Sequence, residues 1–195
     1  MTATSSTNSL TYAFDQMDLY GGTGTSSPPS PTATFGPLFR TRVPSADSFR
    51  YFPSLNVLLG EESGDFEVLP TIARTINFKG IVRDNYLGGG CKAQENILVN
   101  TQNCGPFEFT NLNTATALTA NGSNTVTLNW NTANACVPTT NVKISFSTDG
   151  GHTYPYVILS STPNDGTETI IVPNLTTCNG RFMIEAIGNI YFNIN

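Results

Sequence analysis

The chain has 195 residues, of which 28 are Thr, 21 Asn and 15 Ser, while only 12% are Asp, Glu, Lys or Arg. This composition replaces the residues from which helices are usually built and excludes a helical bundle, whereas 38% apolar residues allow a buried core and argue against wholesale disorder. The net charge is −5 and the basic residues are scattered along the chain, which disfavours nucleic-acid binding. No apolar run approaches the length of a membrane span.

The first half predicts a strand followed by a long irregular insertion. In Leu10–Phe14 every second residue is apolar, as in a half-buried strand. The insertion covers residues 21–70 and begins with a Gly-, Ser- and Pro-rich loop at residues 21–31. Within it, residues 54–59 predict a short helical turn.

Two further strands predict a hairpin that closes a small sheet. A strand is expected over Thr71–Arg83 and another near Asn96–Asn100, with a Gly-rich turn at Asp84–Gly90 between them. The pattern restarts near Cys104. We therefore expect two domains, residues 1–103 and 104–195.

The second half shows the rhythm of short alternating strands and turns that is typical of a β-sandwich. Thr127 and Asn129 should face outward. The residues expected to face inward are Val126, Leu128, Trp130, Val142, Ile144, Phe146, Ile170, Val172, Phe182 and Ile184. The fold class predicted for the whole chain is all-β, with two immunoglobulin-like β-sandwich domains of the fibronectin III or PKD-like kind, of which the first is incomplete.

The four cysteines, Cys91, Cys104, Cys136 and Cys178, favour disulfides over a zinc site. They lack the Cys-x-x-Cys spacing of a metal site, and His152 is the only histidine. Pairing of neighbours along the chain would close loops of about 13 and about 42 residues. Two disulfides would place the chain in an oxidising, extracytoplasmic compartment. No metal and no other cofactor is expected.

The most specific short motif is an Asp-box-like turn formed by Ser147, Asp149, Gly151, Thr153 and Tyr154. It resembles the turn found in sialidases and related β proteins. Asp149 can accept backbone N–H groups, glycine supplies a positive φ, and Tyr154 can pack under the turn. A structural role is favoured over ligand binding.

Three other features of the sequence are candidates for a catalytic or binding site. His152 lies near Ser147 and Asp149, but the elements of a nucleophilic triad are not visible, so a solvated turn histidine is favoured. The carboxylates of residues 61–67 are expected in a solvated loop rather than in a glycosidase site. An aromatic and arginine cluster is the candidate surface for a carbohydrate or protein ligand, its residues being Phe39, Arg40, Arg42, Arg50 and Tyr51. The alternative is that its aromatics cover one edge of the first sheet.

Ordered segments along nearly the whole chain resemble those of one known family. In the first half these segments are Leu10–Leu19, Phe35–Arg40, Arg50–Pro53, Val68–Phe78, Val82–Asn85 and Gly88–Cys91. In the second half they are Cys104–Phe107, Val126–Trp130, Val142–Tyr154, Thr162–Gly166 and Ala186–Phe192. Together they resemble the region after the catalytic domain in large secreted bacterial zinc metalloproteases of the reprolysin-like type. The resemblance implies exported, immunoglobulin-like or PKD-like accessory domains, often followed by a type IX sorting tail.

The sequence departs from that family in ways that limit what is implied. The zinc motif His-Glu-x-x-His is absent, so no protease activity is carried over and the chain is not expected to be an enzyme. Residues 4–9 lack the carboxylates of a calcium-binding run. We interpret the chain as an excised fragment whose first domain is missing strands or borrows one.

The expected function is that of a non-catalytic spacer or substrate-binding and surface-binding region of a secreted metalloprotease. Its expected partners are an extracellular protein or glycan and the neighbouring domains of the parent chain. The alternative is a cell-surface adhesion or carbohydrate-binding module with no protease in its parent.

Overall fold

The computed structural model describes residues 9–20, 29–113, 115–133 and 136–195. These residues form ten strands and one four-residue helix, and all strand pairs are antiparallel. The chain divides into two compact units, Met1–Asn103 (unit 1) and Cys104–Asn195 (unit 2). Residues 21–28 of the loop expected at 21–31, and residues 4–8 of the carboxylate-free stretch at 4–9, lie outside the described residues. No helix in the described ranges is long and apolar enough to cross a membrane.

Unit 1 is built on one sheet with the strand order β1-β2-β3. Its strands are β1 (Thr11–Gln16), β2 (Arg74–Arg83) and β3 (Lys92–Thr101). β2 alternates between the two faces, so that Ile76, Phe78 and Val82 are buried. β2 and β3 pair over all ten residues, ending with Arg83 opposite Lys92, and the predicted hairpin is confirmed.

The layer packed on this sheet is irregular. Leu38 and Phe39 form a buried cluster with Ile76 and Phe78 of β2. The segment that covers the sheet, described over residues 29–70 and called the covering segment below, contains Pro37, Pro44, Pro53 and Pro70. Proline cannot donate to a strand ladder, and the described part of unit 1 therefore has one β layer instead of the two expected of a sandwich. The predicted helical turn is confirmed as α1 (Leu55–Leu58), which is followed by Gly60 at a φ of 77°.

The described residues of unit 2 form seven strands in two sheets. They are β4 (Glu108–Phe109), β5 (Thr125–Asn131), β6 (Asn141–Ser147), β7 (Tyr156–Pro163), β8 (Thr167–Ile171), β9 (Arg181–Ala186) and β10 (Phe192–Ile194). One sheet has the order β4-β5-β8 and the other β10-β9-β6-β7. Both contribute to a single core of Phe107, Phe109, Leu128, Trp130, Val142, Ile144, Phe146, Ile170, Phe182 and Ile184. Two layers around one core are the arrangement of a β-sandwich.

The inward residues of unit 2 follow the predicted alternation, with Val126 only partly buried, but outward positions of β6 and β9 are buried as well. Leu128 and Trp130 are buried while Thr127 is exposed, as expected. Ser145 and Ser147 should face outward, yet both are fully buried. Ser145 lies opposite buried Met183 of β9, and Ser147 is enclosed by the turn that follows β6. The second half of β6 is therefore buried on both faces, whereas the side chain of Lys143 in its first half is 38% exposed.

The cysteine pairing expected from the sequence is wrong. The disulfide joins Cys104 to Cys136, with Cα atoms 6.1 Å apart, while Cys91 and Cys178 are free and exposed. Cys91 and Cys104 flank β3, whose ten extended residues span about 30 Å. A disulfide tolerates a Cα separation of only about 7 Å, so these two cysteines cannot pair.

The second expected pair fails for a related reason. Cys136 precedes β6, and its sulfur is already bonded to Cys104. Cys178 lies beyond the other end of β6, in the loop where the carbonyl of Asn179 accepts the N–H of Gly150 at 2.9 Å. The two cysteines are thus placed at opposite ends of the sheet.

Candidate functional site

The aromatic and arginine cluster is not a ligand surface at Phe39. This side chain is only 5% exposed, and its ring centroid lies 5.1 Å from that of Phe52 and 6.0 Å from that of Phe78. Phe39 belongs to the core of unit 1, because its ring fills the space between β2 and the covering segment. Its assignment as a binding residue is therefore corrected.

Arg50 also points into the unit. Its Nη1 donates to the carbonyl of Phe14 at 2.7 Å, and its Nη2 donates to the carbonyl of Arg40 at 2.8 Å and to Glu67 Oε1 at 2.7 Å. Its guanidinium carbon lies 4.3 Å from the ring centroid of Phe52. Burial lowers the pKa of Arg50, and the charge of Glu67 opposes that effect.

Glu67 is the centre of this charge network. Its side chain is 1% exposed, and Arg42 Nε donates to Oε1 at 3.0 Å while the backbone N–H of Ser54 donates to Oε2 at 3.2 Å. Arg42 also reaches Glu62 at 2.8 Å. The expectation that the acidic run is a solvated loop is wrong at Glu67, because a carboxylate at this depth requires paired charges and donors.

The network holds the covering segment of unit 1 together. Arg40 forms an ion pair with Glu62, and Tyr51 packs edge-on against Phe49 with centroids 5.4 Å apart. The guanidinium groups of Arg42 and Arg50 are directed at internal acceptors. Arg42 and Arg50 therefore act as an internal tie within unit 1, whereas the Arg40 side chain is 42% exposed and Tyr51 is half-buried.

The Asp-box-like turn is closed by hydrogen bonds between the residues that the motif names. Ser147 Oγ donates to Asp149 Oδ1 at 2.6 Å and accepts the N–H of Gly151 at 2.8 Å. Thr153 donates its N–H to Oδ1 at 3.0 Å and its hydroxyl to Oδ2 at 2.6 Å of the same aspartate. Gly151 has a φ of 100°, and Tyr154 is half-buried.

These hydrogen bonds determine the charge state of Asp149 and the direction of the Ser147 hydroxyl. Donation from Ser147 and then from Thr153 holds the pKa of Asp149 well below its usual value. The hydroxyl proton of Ser147 is directed at Asp149, and Ser147 is buried. His152 is exposed. The three residues thus form a structural turn and do not have the arrangement of a nucleophile activated by a base.

Metal binding finds no support in the described ranges. They contain no group of three or more His, Cys, Asp or Glu side chains placed to hold a metal ion.

The tip of the β2–β3 hairpin (residues 83–92) contains the turn predicted at Asp84–Gly90 and exposes two large side chains. Leu87 is fully exposed, at 104% of its reference area, and Tyr86 is 54% exposed. Asp84 Oδ1 accepts the N–H of Cys91 at 2.9 Å and that of Tyr86 at 3.3 Å, which closes the turn. The signal that marks this hairpin tip in the sequence is an adjacent Tyr and Leu inside an otherwise Gly-rich turn.

The fold and these sites define a nearly all-β protein whose second unit is disulfide-bonded. No family model matches the chain, and neither a curated protein nor a solved structure matches it. Function is therefore argued from residues and geometry.

Proposed function

We propose that this chain is a non-catalytic accessory region of an exported protein, serving as a spacer and contact surface for its parent. The observation that carries the proposal is unit 2, where two sheets enclose one core and a disulfide joins Cys104 to Cys136. A compact unit with its own core can hold neighbouring parts of a chain apart. Unit 1 (residues 1–103) is proposed as the other domain of this region.

The strand order of unit 2 supports an immunoglobulin-like or fibronectin III-like identity. Its first, second and fifth strands form one sheet (β4-β5-β8), and its third, fourth, sixth and seventh form the other. Seven antiparallel strands in two sheets, with the first, second and fifth together, are shared with those sandwiches, although a constant-type immunoglobulin domain places its fourth strand on that same sheet. Such modules commonly serve as spacers and binding platforms, although a fold alone does not define a function.

An extracellular location is supported by the disulfide and by the surface composition. Disulfides persist in oxidising compartments. The outward positions of the β5–β8 pair are mostly Thr and Asn instead of charged residues, as in the cross-strand contact of 3.0 Å between the hydroxyls of Thr127 and Thr169. The proposed parent is a secreted metalloprotease, a proposal that rests on the resemblance of the ordered segments.

The adhesion and carbohydrate-binding alternative ranks lower. It was motivated by the aromatic and arginine cluster, in which Phe39 is buried and Arg42 and Arg50 are engaged with Glu67.

The proposal is tested by deleting this region from its parent. The reading frame upstream of Met1 is expected to encode His-Glu-x-x-His, and the shortened protease should cleave a short soluble peptide at the normal rate. Cleavage of a large, surface-bound protein should fall by about tenfold, because tethering near the substrate is lost. A parent without the zinc motif, or equal loss on both substrates, contradicts the proposal. Replacement by a flexible Gly and Ser linker of equal length separates spacing from surface contact.

A further inference from the structure

Most positive charges of the chain are matched within it. Of the nine basic residues, ion pairs to Asp or Glu are made by Arg40, Arg42, Arg50, Arg74 and Lys143. Arg181 donates to the carbonyl of Asn195 at 2.7 Å. Among the described residues, four basic side chains make no ion pair to Asp or Glu. Arg181 is one of them and is held by Asn195, and the other three are Lys79, Arg83 and Lys92.

These three cations lie on the same face of the unit 1 sheet. Lys79 and Arg83 are four residues apart on β2, and Lys92 is directly opposite Arg83 on β3. Because side chains alternate along a strand, this register places all three on one face. Like charges directly opposite each other destabilise a strand pair. Asp15 of β1 is the acidic residue opposite Lys79, and it is half-buried.

The same end of the sheet carries the most exposed apolar group of the hairpin. The side chain of Leu87 is entirely in water, beside the half-exposed ring of Tyr86. The hairpin tip is held in this shape by Asp84, and the side-chain amide of Asn85 donates to the carbonyl of Ser9 at 3.0 Å. Leu87 is therefore held away from the sheet by an ordered turn.

We propose that the hairpin tip docks on an anionic lipid surface. Leu87 and Tyr86 enter the interfacial layer while Arg83, Lys92 and Lys79 face the headgroups. An apolar insertion combined with basic residues is the pair of signals that peripheral membrane binding requires. The remainder of the chain carries the net negative charge and is repelled by such a surface, which orients the hairpin tip toward it. A soluble polyanion would use the cations but would give no role to Leu87.

The test measures partition of the full chain onto vesicles of phosphatidylcholine containing about one-third phosphatidylglycerol. Binding is expected at about 0.1 M salt and should weaken strongly near 1 M. Leu87→Ser should lower the partition coefficient about tenfold. Arg83→Gln combined with Lys92→Gln should lower it about 25-fold, since each basic residue near the surface contributes about fivefold.

Two matched variants serve as controls. Val43→Ser removes another strongly exposed apolar side chain of unit 1, and Lys143→Gln removes a basic residue from unit 2. Both should leave the partition coefficient unchanged. Leu87→Trp supplies an independent reading, because its emission should shift to the blue on anionic vesicles while Trp130, buried in unit 2, stays constant.

Several outcomes overturn the proposal. One is the absence of partition onto anionic vesicles, and another is equal partition onto pure phosphatidylcholine. Equal losses in Val43→Ser and Leu87→Ser would also contradict it. Retention by polygalacturonate that depends on Arg83 and Lys92 but not on Leu87, without vesicle binding, would instead assign the face to an acidic glycan.

Discussion

At the scale of single residues, Glu67 and Asp149 are carboxylates in opposite environments. Glu67 is buried, and its charge is matched by Arg42 and Arg50. Asp149 is exposed, and hydroxyl and amide donors of its own turn satisfy it. Glu67 holds the covering segment of unit 1 in place through these ion pairs, and Asp149 closes the turn after β6.

Glu67→Gln should destabilise unit 1 by about 2–3 kcal/mol, because it leaves two guanidinium groups without their shared counter-charge. Urea unfolding followed by far-UV circular dichroism should show an earlier transition. The emission of Trp130, which lies in unit 2, should keep its midpoint.

Asp65→Asn is the matched control for Glu67→Gln, since Asp65 is an exposed carboxylate two residues away. It should change stability by less than about 0.5 kcal/mol. Equal effects of the two substitutions would mean that the buried network contributes nothing to unit 1.

Asp149→Asn should change how unit 2 responds to acid. The folded state holds the pKa of Asp149 below its ordinary value, so the carboxylate contributes stability above the unfolded-state pKa of about 3.9. That contribution is lost as the pH falls through the lower pKa of the folded state. The wild type should therefore be more stable than the variant near neutral pH, and the gap should close toward about pH 2.

The measurement for Asp149 is the thermal midpoint of Trp130 emission across this pH range. Asp47→Asn, at an exposed aspartate of unit 1, is the control and should track the wild type. A constant gap between the wild type and Asp149→Asn at every pH would show that proton binding at Asp149 is not linked to folding.

The closed turn around Asp149 could be predicted from the sequence, whereas the burial of Glu67 could not. The donors of Asp149 lie within four residues of it, so the short motif alone predicted a closed turn. The partners of Glu67 are Ser54, Arg50 and Arg42, which lie 13, 17 and 25 residues away. Local pattern cannot tell a buried carboxylate from a solvated one when its partners are this distant.

At the scale of elements, the disulfide ties β4 and β5 to the body of unit 2. It closes a loop of 32 residues that includes both strands. In the chain-entropy account such a loop is worth about 4 kcal/mol. Cys136→Ser should therefore lower the free energy of unfolding of unit 2 by about 2–4 kcal/mol, measured through Trp130 emission in urea.

Cys91→Ser and Cys178→Ser are the matched controls for the disulfide, because both thiols are free and exposed. They should leave the Trp130 transition unchanged. Thiol titration of the unfolded wild type without reductant should find two thiols per chain. A count of four, or equal losses in all three variants, would contradict the pairing of Cys104 with Cys136.

Element prediction was strongest where the hydrophobic period was clean. The hairpin of β2 and β3 and the inward residues of β5 follow directly from alternation. The expected pairing of Cys91 with Cys104 failed because their separation in sequence says nothing about the length of an extended strand between them. The strand predicted near Asn96–Asn100 alone spans about 16 Å, which is more than the Cα separation of about 7 Å that a disulfide tolerates.

At the scale of the whole molecule, each unit has its own core. The cluster of unit 1 is formed by residues between Ala33 and Val99, and that of unit 2 by residues between Phe107 and Tyr191. A core that draws on one unit alone is the physical requirement for independent folding. The two compact units divide after Asn103, close to the point where the strand rhythm of the sequence restarts, whereas no pattern in the sequence marks the single β layer of unit 1.

Residues 104–195 should therefore fold without the rest of the chain. The fragment keeps the disulfide and the bond from Trp130 Nε1 to Asn164 Oδ1 at 2.8 Å, both within unit 2. Its Trp130 emission should be that of a buried indole, and its thermal midpoint should lie within about 4 °C of the Trp130 transition in the full chain, a shift of about 1 kcal/mol or less. Leu128→Ala, a cavity at a fully buried position, should cost about 2–5 kcal/mol equally in both proteins. A fragment with solvent-exposed emission and no cooperative transition would mean that unit 2 needs unit 1 in order to fold.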